Sequence, residues 1–184
     1  EKIIPAADLS EQITTAGFEA SGTGNMKFAL NGALTMGTLD GANVEMAEEI
    51  GEENMFIFGL KADEVSALKA SGYNPRSYYD NDPMLKRVVD SLLDDSWCTD
   101  ESGIFTPIWK SLMEDGDIYF HLADFRAFVE ASEKVDQLYK NKEEWVKKAI
   151  INIARIGRFS SDRAITEYAN DIWNITPLQL DFGG

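Results

Sequence analysis

The sequence predicts an α/β fold in which a short parallel sheet is followed by a helix-rich region. Two contrasts and one size argument point there. Residues 1–60 hold most of the 14 glycines, short apolar pieces, and only Lys2 and Lys27 as basic residues. From residue 61 onward the apolar positions take up helical spacing instead. The chain has 184 residues with 44% hydrophobic content, enough for one domain with a sizeable core and too much for wholesale disorder.

Taken in order, Ile3-Ile4 ahead of Pro5 read as the end of a strand, because proline cannot continue a central ladder. Residues 8–16 read as a short helix capped by Asp8, with Leu9 and Ile13 on one face. Residues 17–24 form a glycine-rich loop, and residues 25–32 a helical turn or two around Met26, Phe28, Ala29 and Leu30. Residues 33–39 predict a buried strand, Asp40-Gly41 a turn, residues 43–50 a helix capped by Asn43, and residues 55–60 another short strand. Strand, glycine loop, helix, strand, helix, strand is the order of a parallel sheet.

Beyond it, residues 62–71 predict a helix stopped by Gly72. Asp82-Pro83 opens another, with Leu85, Val88, Val89 and Leu92 along one face. A polar loop follows at 96–103, a helix at 104–113, and an irregular piece at 118–122. Asp124 predicts the cap of a long helix, Asn141 the cap of the next, and Ser160 or Ser161 the start of the last. The aromatic residues Phe125, Phe128, Tyr139, Trp145, Tyr168 and Trp173 read as core.

Composition removes several classes of function. Seventeen Lys plus Arg against 32 Asp plus Glu give a net charge of −15, which repels nucleic acid and anionic membranes. One cysteine, Cys98, makes no internal disulfide, and Cys98 with His121 is too little for a zinc site. No apolar run reaches the length of a membrane span and no signal-peptide pattern opens the chain. A soluble, reducing-compartment protein is expected. Three short strands also cover too little of seven or eight helices, and the chain opens on Glu1 in an apolar run. The expectation is therefore the second half of a domain, a partial Rossmann-like parallel sheet with an open edge prone to association.

The loop Glu19-Ala20-Ser21-Gly22-Thr23-Gly24-Asn25-Met26-Lys27 is the candidate for chemistry. A dinucleotide fingerprint would need glycine at position 27, and a P-loop would need lysine after Gly22, where Thr23 stands. Gly-Thr-Gly entering a helix still suits an anion. Lys27 is the only cation between residues 3 and 60 and lies one turn beyond Thr23, among apolar neighbours. An apolar pocket lowers a lysine's pKa and lets its amine condense with an aldehyde. A ligand carrying both phosphate and aldehyde, such as pyridoxal phosphate, fits that pairing. A snorkelling lysine at a helix boundary is the plainer reading of the same residues.

Three stretches carry a family resemblance: residues 4–13 (Ile-Pro-Ala-Ala-Asp-Leu-Ser-Glu-Gln-Ile), residues 19–27, and Leu39-Asp40-Gly41-Ala42-Asn43-Val44-Glu45. Gly51-Glu52-Glu53-Asn54, Phe56-Ile57-Phe58-Gly59 and Phe159-Ser160-Ser161-Asp162-Arg163 extend it. The chain resembles the C-terminal region of the α-glucan phosphorylases, the glycogen, starch and maltodextrin phosphorylase family. The likeness is loosest over residues 61–118 and the last ten.

That resemblance implies a cytoplasmic, pyridoxal 5'-phosphate-dependent glycosyltransferase, allosteric in type, that splits α-1,4-glucans with inorganic phosphate to glucose 1-phosphate. It implies Lys27 as the cofactor anchor, with Gly22, Thr23 and Gly24 near the cofactor phosphate and sugar site. It implies Glu19 as the carboxylate on the glucosyl hydroxyls, with Ala20, Ser21 and Gly22 offering backbone N–H groups. The cofactor's phosphate is implied as the proton-exchanging group, its second pKa of about 6 suiting that task. Residues 1–60 then hold the sheet and cofactor loop of a C-terminal α/β domain, and residues 61–184 its helical part.

One cation near the proposed site is too few to hold two phosphates, so this chain alone is expected to be inactive, within a homodimeric parent. The other reading is a non-catalytic phosphorylase-like binding module. His121 reads as structural, because the family's active-site histidine lies upstream of the matched region. Asp40 reads as a turn residue, and no metal is implied.

Overall fold

The structure, a computed structural model, describes residues 2–19, 22–176 and 178. A single helical turn, α1 (Ile3–Ala6), leads into β1 (Leu9–Gln12). Helix α2 (Gly24–Leu30) connects β1 to β2 (Leu34–Gly37), and α3 (Ala42–Ile50) connects β2 to β3 (Phe56–Ile57). The strands lie in the order β1-β2-β3, all parallel, with Leu9 beside Leu34 and Met36 beside Phe56. The predicted α/β class and helix-rich C-terminal part are both present.

Two expectations for the first segment are corrected. Ile3-Ile4 begin a helical turn, where Pro5 loses nothing because an N–H in a first turn has no intrahelical partner. Residues 8–16 do not form a helix; Leu9–Gln12 is a strand. Leu34 donates to Asp8 O at 3.0 Å and Thr38 to Gln12 O at 3.3 Å, extending the ladder at both ends. Leu9 packs on the sheet core while Ile13 is exposed, so their i, i+4 spacing marks no buried helical face. Ladder pairing with the fully buried β2 overrides that local pattern.

The sheet is covered on both faces. Leu34, Met36 and Phe58 pack with Ala131 and Val135 of α8 (His121–Tyr139) and Trp145 of α9 (Lys142–Arg155). A second cluster joins Ala29 of α2, Met46 and Ile50 of α3, Met55, and Ile156 just after α9, with Ile57 of β3 against it. The intervening helices are α4 (Ala62–Ala70), α5 (Pro75–Asn81), α6 (Pro83–Asp90) and α7 (Thr106–Met113). Leu85, Val89, Met113 and Leu122 form a satellite core among α6, α7 and α8. The last elements are α10 (Ser161–Glu167) and a π-helical segment, Tyr168–Trp173.

Three predicted caps hold. Asp82 accepts from Met84 N and Leu85 N, Asn141 from Glu144 N, and Ser160 from Asp162 N. Two are corrected. Helix α8 opens at His121, whose N–H donates to Asp117, and Asp124 lies inside it, accepting from Leu60 N at 2.8 Å. Gly41, not Asn43, is the residue before α3, and the Asn43 amide turns inward to Thr38 O and Asn25. The aromatic series divides as well. Trp145 is buried and Phe125 and Phe128 half-buried, but Tyr139, Tyr168 and Trp173 are exposed.

Among the described residues no helix is long and apolar enough to cross a membrane. Also among them, β1 and β3 are each hydrogen-bonded to a strand on one side only.

Candidate active-site cleft

In a parallel sheet the loops leaving the carboxyl ends of the strands gather at one end, which is where ligands bind. The chain leaving β1 carries residues 13–19, 22 and 23 among the described residues, and the loop after β2 carries Thr38, Asp40 and Gly41. Hydrogen bonds stitch the two together. One carboxylate oxygen of Asp40 accepts from both Gly17 N and Glu19 N, each at 2.8 Å. The Thr38 hydroxyl donates to Thr14 O at 2.6 Å. Buried Asn43 donates to Thr38 O at 3.0 Å and accepts from buried Asn25 at 2.9 Å, fixing the start of α2 against the start of α3.

Between these segments lies a cleft of about 590 Å³. That volume falls in the range of small-molecule sites. One wall carries Glu19, Gly22, Gly24 and Asn25, and the start of α3 adds Gly41, Ala42 and Glu45. The far end of the chain adds Arg158, Phe159 and Arg163 to the lining. Arg158 pairs with Glu49 at 2.7 Å, and Glu48 and Glu45 add to the negative surroundings of its guanidinium. Arg163 donates through Nη1 to Arg158 O at 2.8 Å and pairs through Nε with Glu167 at 2.8 Å. Both arginine side chains are 46% exposed.

The structure thus brings Glu19, Gly22 and Gly24 to one cleft. Thr23 and Lys27 stand outside the cleft's lining. Lys27 N donates to Thr23 O at 3.1 Å, so the expected one-turn relation holds. Lys27 itself is exposed, and the described residues do not enclose its amine in an apolar pocket; Met26 and Ala29 turn into the core beside it. Ala20 and Ser21 lie outside the described residues.

The expectation of a single cation near the site is corrected, since Arg158 and Arg163 line the cleft. Arg163 closes the matched stretch Phe159–Arg163, whereas Arg158 lies just before it and had no signal in the sequence. Asp40 does more than turn the chain, because it holds the loop that bears Glu19. His121 is exposed at the start of α8, away from this cleft's lining.

Comparison with known proteins identifies the family. The family of carbohydrate phosphorylases matches residues 1–175. The brain form of glycogen phosphorylase from Homo sapiens is 57% identical over 180 residues, 98% of this chain and 21% of that protein. Glycogen phosphorylase from Synechocystis sp. is 52% identical over 181 residues, again 98% and 21%. The muscle form from Ovis aries is 54% identical over 179 residues, 97% and 21%. The chain spans about a fifth of the length of the curated relatives it matches. With the family's model matching all but the last few residues, the chain belongs to the carbohydrate phosphorylase family.

Proposed function

We propose that this chain is the cofactor- and sugar-binding part of a phosphorylase that transfers glucosyl units from an α-1,4-glucan to inorganic phosphate, releasing glucose 1-phosphate. The observation that carries the reading is the convergence of Glu19, Gly22 and Gly24 on one cleft at the carboxyl end of the sheet. Membership of the family supports it.

In this reading Lys27 anchors pyridoxal 5'-phosphate. The residues present fit that role, since the Lys27 side chain is exposed and its backbone is tied one turn from Thr23. When bound, the cofactor supplies a phosphate that exchanges protons near neutral pH. Gly22 and Gly24 let the backbone approach a ligand closely, and the Glu19 carboxylate accepts from glucosyl hydroxyls. Asp40 holds Glu19 in place through its backbone N–H. Residues 1–184 form the second half of a C-terminal α/β domain, and groups outside this chain complete the site. The chain alone is then inactive, and the whole enzyme is a cytoplasmic homodimer.

Incubation with pyridoxal phosphate, reduction with borohydride and peptide mapping test the anchor. Label on Lys27, lost in K27A, is expected. Absence of label at Lys27, in this chain and in a full-length protein containing it, would remove the cofactor role.

A further inference from the structure

The turn that opens α8 holds a residue that its backbone disfavours. Asp117 and Phe120 both have positive φ, +46° and +59°, in the left-handed region. Aspartate tolerates that region, but a bulky phenylalanine there is an outlier. Gly116, at φ +88° with nothing within 4 Å of where a Cβ would stand, shows the residue such a backbone favours. A glycine at position 120 would make the same turn at less cost. A strained residue persists where the surrounding structure over-determines it, so the ring of Phe120 is what needs a reason.

That ring is 4% exposed, lies 4.7 Å from the ring of Tyr73 and 6.4 Å from that of Phe18. Tyr119 meets Phe18 edge-on at 5.5 Å. Phe18 immediately precedes Glu19, and its N–H donates to Thr15 O at 3.1 Å. Buried Thr15 in turn donates its hydroxyl to Tyr119 O, across 104 residues of sequence. The turn therefore holds the Glu19 loop at two points, Thr15 and Phe18. It is itself fixed by Asp117, which is 2% exposed and accepts from Tyr73 Oη at 2.7 Å, Leu122 N at 2.8 Å and His121 N at 3.1 Å. Burial, with the Asp117 carboxylate beside it, pushes the Tyr73 hydroxyl far above its ordinary value and keeps it a donor. Thr15, Phe18, Tyr73, Asp117, Tyr119 and Phe120 all stand outside the cleft's lining, so they reach it only through the loop.

We propose that Phe120 is a positioning residue for the Glu19 carboxylate. The strained turn drives its ring against Phe18 and, with Tyr119 O on Thr15, sets where the loop presents Glu19 to the cleft. This hold is separate from that of Asp40, which reaches the same loop from β2. The consequence for activity rests on the reading of Glu19 as the sugar-binding carboxylate; the placement of the loop does not.

Hydrogen exchange in the 184-residue chain tests the placement. F120G keeps the backbone of the turn and deletes the ring. It should speed exchange at Gly17 and Glu19, whose N–H groups bond to Asp40 and not to the turn, by about fivefold, as the loss of an aromatic pair implies. The first amides of α8 should exchange no faster than in the native chain. F18A removes the same contact from an exposed side chain, so it tests the idea even where F120G fails to fold. The double variant should loosen the loop no more than either single one. T15V should act in the same direction, and T15S should restore native exchange.

Unchanged exchange at Gly17 and Glu19 in F18A and F120G would overturn the proposal. So would additive effects in the double variant, or α8 loosening as much as the loop. Activity of a full-length protein containing this chain separates the two readings. F18A should lower kcat/KM about fivefold in the native background and no further in E19Q, because it acts through Glu19. A further loss in E19Q would overturn the positioning role. Full activity in E19Q would instead remove the sugar role of Glu19 and leave the hold on the loop standing.

Discussion

Asp40 holds the backbone of Glu19 with a hydrogen bond of 2.8 Å across 21 residues of sequence, and the same carboxylate oxygen holds Gly17. The loop that carries the candidate sugar-binding carboxylate is therefore positioned from β2 as well as from its own strand. Replacement D40A should accelerate amide exchange at Gly17 and Glu19 by about tenfold or more, because a charge-assisted acceptor is lost at each. D40N should fall between, since an amide oxygen in the same place still accepts but without charge. Site-resolved hydrogen exchange checks both, and equal exchange in D40A and the native chain would contradict the clamp.

Gly37, at the end of β2, is a point of close approach. A Cβ there would lie 2.7 Å from Asn43 Nδ2 and 2.9 Å from Gln12 O. The second contact is backbone of the neighbouring strand and cannot swing away. G37A should therefore cost about 1–3 kcal/mol through overpacking. Part of the loss should come from displacing the Asn43 amide from Thr38 O. Urea denaturation gives the stability change, and the amide signals of residues 38–43 should shift most.

The glycine loop, α2, β2 and α3 were legible in the sequence because their signals are local. Strand β2 is buried at every position, and the glycines punctuate both ends of α3. Strand β1 was not legible, since four residues with one helical coincidence, Leu9 and Ile13, hold no information about β2 beside them. Asn43 and Asp124 look like caps because capping residues also make good tertiary acceptors and donors. Their partners, Thr38 O and Leu60 N, are settled only by the folded chain. The cleft was half legible. Glu19, Gly22 and Gly24 belong to one motif, whereas Arg158 and Arg163 come from more than a hundred residues away and no spacing rule reaches them.

Asp124 should make stability fall as pH rises. Burial is the main cause that raises its carboxyl above the ordinary aspartate value, opposed by the hydrogen bond from Leu60 N and by nearby His121. The folded state then binds a proton more tightly than the unfolded state. Stability from this group is fully present below the unfolded value of about 3.9 and is lost as pH rises through the raised folded value. D124N keeps an oxygen for Leu60 N and removes the titration. The stability difference, native minus D124N, should decrease with rising pH across that window and stay flat below it. Parallel denaturation curves from pH 3 to 7, as an approximate span, decide it.

Asp82 should act in the opposite sense. The Arg126 guanidinium bonded to it is the largest cause holding its carboxyl below the ordinary value, with further help from Met84 N and Leu85 N. The folded state therefore releases the proton more readily. Its contribution is present above about 3.9 and is lost as pH falls through the lowered folded value. Arg126 is half-exposed, so the ion pair itself adds little and weakens with salt. The cap on α6 is a separate contribution of about 1 kcal/mol. R126Q should thus reduce the acid sensitivity and the salt dependence while sparing most of the neutral-pH stability. D82A should lose the cap as well and be the less stable of the two at neutral pH. Equal losses in the two variants would mean that Asp82 serves the ion pair alone and leaves α6 uncapped.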